Sequence, residues 1–382
     1  MVKGNSAFDA IQMLAELEMG EYQSTYCFYG SSVSLKADHH ESVRFSDTYF
    51  SGYFETNGSL PSQITVTVNS DPSTLKYLTR LLRLSDDTSD FGIPKFLWLS
   101  PDHGICVRRL SGGPDKPSVL YALNKLRRSI TLLIPPGDFE TRYIPMRTVR
   151  AAMKLLMLER GMWQFHAACI AKNGLAIALT GNKFSGKTST LVSALLNRDF
   201  DFVANDKVLV DRGEQSWFVY GLPVSSGIRI GTIRQFLPLL DLLNDPHEQH
   251  WDNHVLGNED YRNELTRIYV KPQKLVEILK CSIMPRAKVK CFVVPELVQG
   301  ITKSRLLRAS HGEAKEWLMG QYLDQPFAQE PCLKMLFQSP YSSVVERAEI
   351  SRMAFELPVY KLIQNELTNA DSARNLEELL HS

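Results

Sequence analysis

QFHAACIAKNGLAIALTGNKFSGKTSTLVSALL, residues 164–196, carries most of the structural information in this chain. Asn173-Gly174 stands between two apolar runs of similar length. Asn-Gly suits a type I′ turn, which needs positive φ at both central residues, so HAACIAK and LAIALT are expected to pair as antiparallel strands. The second strand ends at Thr180, where a glycine-rich loop begins. Gly181-Asn-Lys-Phe-Ser-Gly186-Lys187-Thr188 matches G-x-x-x-x-G-K-[ST] at every fixed position. Glycines let the backbone curl so that successive N–H groups face an anion, and the following helix adds its positive end. That helix is read in TSTLVSALLNR, with apolar residues at Leu191, Ala194 and Leu195. The expected phosphate-binding set is Gly181, Asn182, Lys183, Phe184, Ser185, Gly186, Lys187, Thr188 and Ser189. Lys187 can bridge the outer phosphates of a nucleotide, and the Thr188 hydroxyl can ligate Mg²⁺.

Downstream, FDFVAND and KVLVD read as a β segment, RGEQ as a turn, and SWFVYG and KVKCFVVPEL as further strands. Hairpin, loop, helix and strands in this order indicate an α/β domain with a mixed sheet. Asp206 lies 18 residues after Thr188, the length of one helix, a turn and a strand. It can therefore return to the phosphate end of the sheet, to hold the metal or act as a base on an attacking hydroxyl. Asp201 and Asp211 sit at the outer ends of their segments and are weaker candidates. His166, which opens the hairpin, reads equally as a packed side chain or a functional one. Arg229 and Arg234, in GIRIGTIRQF, can neutralise charge in phosphoryl transfer or form surface ion pairs. His247, His250 and His254 have partial metal-ligand spacing, but Pro246, Asp252 and Asn253 point to a loop.

Length suggests two domains, and the helical spacing of Val149, Met153, Leu156 and Met157 places a helix over 146–160 leading into the second. The expected division is 1–140, a smaller α+β domain, and 141–382, the nucleotide-binding domain. In the first domain ITVTV, from Ile64, reads as a half-buried strand, and Leu75, Leu78, Leu81 and Leu82 mark a helix. SGGPDKPS is a loop, SITLLIPP a strand, and Lys125, Arg127 and Arg128 a solvated helix face. The first 22 residues read as an amphipathic helix rather than a signal peptide. No apolar stretch approaches the ~20 residues needed to span a bilayer. A net charge of +1 gives no support to nucleic-acid binding. Six scattered cysteines (Cys27, Cys106, Cys169, Cys281, Cys291, Cys332) form no C-x-x-C pair, which fits a reducing cytoplasm.

The block from His166 to Asp206 resembles the HPr kinase superfamily, whose catalytic fold is related to ATP-type phosphoenolpyruvate carboxykinase. A histidine opening a strand, a hairpin running into the phosphate loop, and an "ADD"-like acidic motif one helix later carry the likeness. YGLPVSSGIRIGTI and FELPVYKL are similar to segments of HPr-kinase-like proteins from peptide and natural-product biosynthesis. The resemblance implies a mixed-sheet P-loop kinase domain and Mg²⁺-dependent transfer of the γ-phosphoryl group of ATP or GTP to a hydroxyl. It implies a small-molecule or peptide acceptor, and a homo-oligomer, since the family often assembles. Asp206 matches the family's second aspartate, a base and metal neighbour, and His166 its histidine near the reacting phosphate. The first aspartate is Asn205 here, a neutral metal-side neighbour that accepts through its oxygen only. The segment that recognises the HPr protein is not evident, so HPr is not the expected acceptor. Two other readings remain: a nucleotide-binding regulatory module with little turnover, and a carboxykinase-like lyase.

Overall fold

Alanine is a poor strand former, yet AACIAK and LAIALT are strands because both are enclosed by other elements. Asn173 and Gly174 take φ of 53° and 77°, and the strands they join pair antiparallel from Ala167↔Thr180 to Lys172↔Leu175. The computed structural model describes residues 20–81, 95–100, 103–109, 118–243, 266–324, 327, 333–334, 336 and 343–381. The chain divides into two compact units: Met1–Leu156 with Phe327–Gln338, and Met157–Pro326 with Ser339–Ser382.

The first unit is built on a mixed sheet. Its strands are β1 (Tyr22–Phe28), β2 (Ser31–Ala37), β3 (Glu55–Thr56), β4 (Ile64–Asn69), β5 (Lys95–Ser100), β6 (His103–Arg109), β7 (Ser118–Asn124) and β8 (Ser129–Leu133). Their order is β3-β1-β2-β4-β8-β7-β6-β5. The β2–β4 and β4–β8 pairs are parallel and the others antiparallel. Helices α1 (His40–Phe50) and α2 (Pro72–Leu81) provide the crossovers that parallel pairing requires. Tyr26 meets Phe50 edge-on at 4.8 Å and donates its hydroxyl to Asp47 at 2.8 Å, locking α1 to β1.

Lys125, Arg127 and Arg128 lie in the turn between β7 and β8, not on a helix; Asn124 Oδ1 accepts the Arg127 N–H at 2.9 Å and Arg128 takes φ of 50°. The helix expected over 146–160 is α3 (Asp138–Glu159), which begins earlier and runs through Pro145. Burial of Tyr143, Ile144 and Met146 compensates for the backbone hydrogen bond that proline removes. The expected N-terminal helix and most of SGGPDKPS lie outside the described residues.

The second unit contains β9 (Trp163–Phe165), β10 (Ala167–Lys172), β11 (Leu175–Thr180), α4 (Lys187–Asn197), β12 (Asp201–Ala204), β13 (Val208–Arg212) and β14 (Trp217–Gly221). The ribbon β15 (Ser226–Arg229) precedes α5 (Ile230–Gln235) and pairs with β16 (Arg267–Val270). Then follow α6 (Pro272–Leu279), β17 (Arg286–Leu297), β18 (Arg305–Arg308), α7 (His311–Gln321), α8 (Ser343–Glu356), β19 (Val359–Gln364) and α9 (Asn369–His381). The main sheet runs β12-β10-β11-β17-β14-β13-β9, with β19 and β18 joining along β17. β9 and β10 stand far apart in that order, yet only His166 separates them in the chain, so the sheet folds back on itself. Alternate residues Trp163, Phe165, Ala167, Cys169 and Ala171 line one core with Phe292, Leu318, Ile350 and Met353. The intervening Ala168 and Ile170 are buried as well, and α4 lies against β10 and β11. Among the described residues no helix is long and apolar enough to cross a membrane.

Candidate active site

The topology gathers three distant stretches at one end of the sheet. β10 is antiparallel to both β11 and β12, so β11 and β12 run the same way. Ala167 pairs with Thr180 and Cys169 with Ala204. Residues 181 onward, Asn205-Asp206 and His166 therefore emerge together. His166 Nε2 lies 3.2 Å from Asp206 Oδ1, both side chains partly exposed. The His166 N–H donates to the Gln321 carbonyl at 2.9 Å, which holds the residue at the break between β9 and β10. Burial pushes the Asp206 carboxyl up, but the His166 hydrogen bond and the charges of His166, Lys207 and Arg267 outweigh it, and its pKa falls below the ordinary carboxylate value. Asp206 also takes φ of 90°, a conformation that side chains rarely adopt and that commonly marks a functional position.

The 181–188 loop shows the backbone its glycines predict. Gly181 and Gly186 have φ of 129° and 96°, and Phe184 adopts 71° between them. Lys187 Nζ donates to the carbonyls of Gly181 at 2.7 Å and Asn182 at 2.9 Å, closing the curl. Ser185 N–H donates to Asn182 O at 3.2 Å, while Ser185 Oγ is buried with no hydrogen-bond partner. Burial, reinforced by Arg229 and Arg267 against the opposing Asp206 carboxylate, brings the Lys187 ammonium down to about 8. α4 begins at once, with Gly186 as N-cap and no side chain capping its first N–H groups. Uncapped N–H groups at a helix start are the donors an anion can take.

Arg229 reaches this loop: its Cζ sits 3.9 Å from the centre of the Phe184 ring, and Lys183 Nζ lies 5.3 Å from the same ring. Ser189 Oγ and Thr232 Oγ1 are 3.3 Å apart, tying α4 to α5. Arg234, in the last turn of α5, is exposed. Asp201 pairs with Ala171, toward the opposite end of β10 from the site, and Asp211 pairs with Phe218. Thr188 is the second residue of α4, and Asn205 is buried beside Asp206. A hydroxyl and a carboxylate are hard oxygen donors of the kind Mg²⁺ takes. Among the described residues no group of three or more His, Cys, Asp or Glu could hold a metal by itself. His247, His250 and His254 lie outside the described residues.

The structure adds two residues that sequence reasoning missed. Arg267 stands directly across from Arg229 in the β15–β16 ribbon, and its charge bears on Asp206, Lys187 and Arg229. RIYV, β16, shows strand-like spacing, but nothing local connects it to the loop. Gln364 reaches α4 from the last strand, donating to Thr190 Oγ1 at 2.6 Å. It lies two residues beyond FELPVYKL, so the resemblance came close to it.

No protein-family model and no curated protein matches the chain. Among solved structures it is similar to the Hpr(Ser) kinase/phosphatase from Coxiella burnetii at 12% identity, over 57% of this chain and 99% of that one. The TM-score is 0.26, a likeness too slight to weigh on fold or activity, and the site stands on its own geometry.

Proposed function

We propose that the chain is a Mg-nucleotide-dependent phosphotransferase that moves the γ-phosphoryl group of ATP or GTP to a hydroxyl of a small molecule or peptide. One observation carries the reading: the 181–188 loop and the His166–Asp206 pair, 3.2 Å apart, share one end of the sheet. The loop N–H groups, the start of α4 and Lys187 offer positive charge to the β- and γ-phosphates. Thr188 and Asp206 would offer oxygens to a Mg²⁺ ion, which when bound would neutralise phosphate charge. Asp206 is ionised at neutral pH, so it can accept a hydrogen bond from the attacking hydroxyl and take its proton as the new bond to the γ-phosphorus forms and the bond from that phosphorus to the β–γ bridging oxygen breaks, releasing ADP or GDP. His166 orients that carboxylate by donating to it. Arg229, beside Phe184, places a guanidinium where charge spreads in the transferring group. The first unit, Met1–Leu156 with Phe327–Gln338, is then the acceptor-holding domain and the second the catalytic one.

A second reading, a nucleotide-binding regulatory module with little turnover, is favoured by Asn205, a buried neutral amide beside the carboxylate. Asn205→Asp separates the two: a large gain in turnover marks a weakened catalyst, whereas a loss marks asparagine as the working residue.

Thermal shift with Mg-ATP and Mg-GTP, on wild type and Lys187→Ala, tests the main reading. Ligand at 100 times its dissociation constant stabilises by about 2.7 kcal/mol. The expected result is a shift in the wild type that Lys187→Ala loses. A folded wild type that neither nucleotide stabilises sinks the proposal.

A further inference from the structure

The glycine loop is held by a strand far along the chain. Gln364, the last residue of β19, is fully buried. Its main chain is fixed on β17: it pairs with Leu297, and its carbonyl accepts the Val298 N–H at 2.8 Å. Its side chain turns to the loop. Nε2 donates to Thr190 Oγ1 at 2.6 Å, and that hydroxyl donates onward to the Gly186 carbonyl at 2.9 Å. Two hydrogen bonds in series thus join the sheet to the second glycine of the loop, each polarising the next. The amide is also in contact with the glycine: a Cβ at Gly186 would lie 2.8 Å from Nε2 and 3.1 Å from Leu297 Cδ2.

Gln364 Oε1 is buried with no partner. A buried amide with half its hydrogen-bonding capacity unmet is costly, and leucine would fill similar space without that penalty. The amide is accounted for if its donor has a task. The Gly186 peptide sets where the first N–H groups of α4 point, and those uncapped groups are the ones a bound phosphate would take.

We propose that Gln364 is a positioning residue for polyphosphate binding, acting through Thr190 on the Gly186 peptide and touching no phosphate itself. The inference rests on the reading that the 181–188 loop binds nucleotide. It makes the affinity of a loop near residue 186 depend on a side chain 178 positions later.

The test is calorimetric Kd for Mg-ATP, alongside ligand-free melting temperature, for wild type, Gln364→Leu, Thr190→Val and the double variant. Losing one hydrogen bond that orients the loop weakens binding about tenfold in each single variant. The double variant binds no more weakly than the weaker single one, because either substitution breaks the same relay. A packing role alone would lower the melting temperature and leave Kd unmoved. Gln364→Leu that folds and binds Mg-ATP within twofold of wild type overturns the proposal. If Gln364→Leu does not fold, Thr190→Val, which keeps the side-chain shape, decides by the same criterion. A wild type that binds neither Mg-ATP nor Mg-GTP removes the nucleotide reading itself, an outcome visible before any variant is compared.

Discussion

Gly186→Ala measures how tightly the loop is built into the second unit. Gly186 has φ of 96°, which costs a residue with a Cβ about 1–2 kcal/mol. The new methyl would also meet Gln364 Nε2 at 2.8 Å and Leu297 Cδ2 at 3.1 Å. Gln364 cannot easily retreat, since its amide is bonded to Thr190 and its backbone lies in the β17–β19 ladder. Overpacking at such a site adds roughly 1–3 kcal/mol, so the whole loss is on the order of 2–5 kcal/mol. Gly174→Ala is the control: it has φ of 77°, and nothing lies within 4 Å of a Cβ there. It pays the conformational cost alone. Urea titration of both variants, compared at equal slope, should show Gly186→Ala less stable by roughly 1–3 kcal/mol. Equal losses would mean that no amide stands against the loop, and the packing described for Gly186 would be wrong.

Other expectations follow from the charges of the site. With Lys187 near 8 in the free protein, about half of the molecules carry a neutral amine at pH 8. Mg-ATP binding at that pH should take up about half a proton, read by calorimetry in two buffers of different ionisation enthalpy. Lys187→Arg, which stays charged, should show none. The sign for stability is also set: a depressed lysine makes the unfolded chain bind more protons between about 8 and 10.5, so the unliganded protein gains stability as pH rises through that window. Asp206 gives a slope of the same sign at acid pH, because its carboxyl is also depressed and the unfolded chain again binds the extra proton. Its lowered carboxyl stabilises above its unfolded value of about 3.9 and loses that contribution as pH falls through the folded value. Asp206→Asn should therefore flatten the acid limb of the stability curve, and an unchanged limb would contradict the ion pair. Backbone strain at φ of 90° predicts that Asp206→Gly is more stable than Asp206→Ala by about 1 kcal/mol in denaturant titration.

The parts of this chain that were legible without coordinates are local. Asn173-Gly174 selects its own turn because two adjacent residues must take positive φ, and the hairpin follows from the apolar runs beside it. The loop at 181–188 is likewise written in the residues that form it. Local sequence is ambiguous where one pattern suits two structures. The basic run at 125–128 has no periodicity long enough to separate a helix from a tight turn. At Pro145 a local breaker lost to burial supplied by the rest of the first unit.

The hairpin, the loop and the helix start follow from local sequence, because their geometry depends on neighbours a few residues away. Asp206 is nominated by its spacing from Thr188 and His166 by resemblance, but their 3.2 Å contact exists because β10 is antiparallel to both its neighbours. The stacking of Arg229 on Phe184, the position of Arg267 opposite Arg229, and the reach of Gln364 to Thr190 were decided by the tertiary structure alone. A strand such as VYKLIQ shows which of its residues share a face, because side chains alternate with period two. It does not show which strand it will lie beside, because backbone hydrogen bonds are the same for every partner, and that choice is made only when the whole sheet closes.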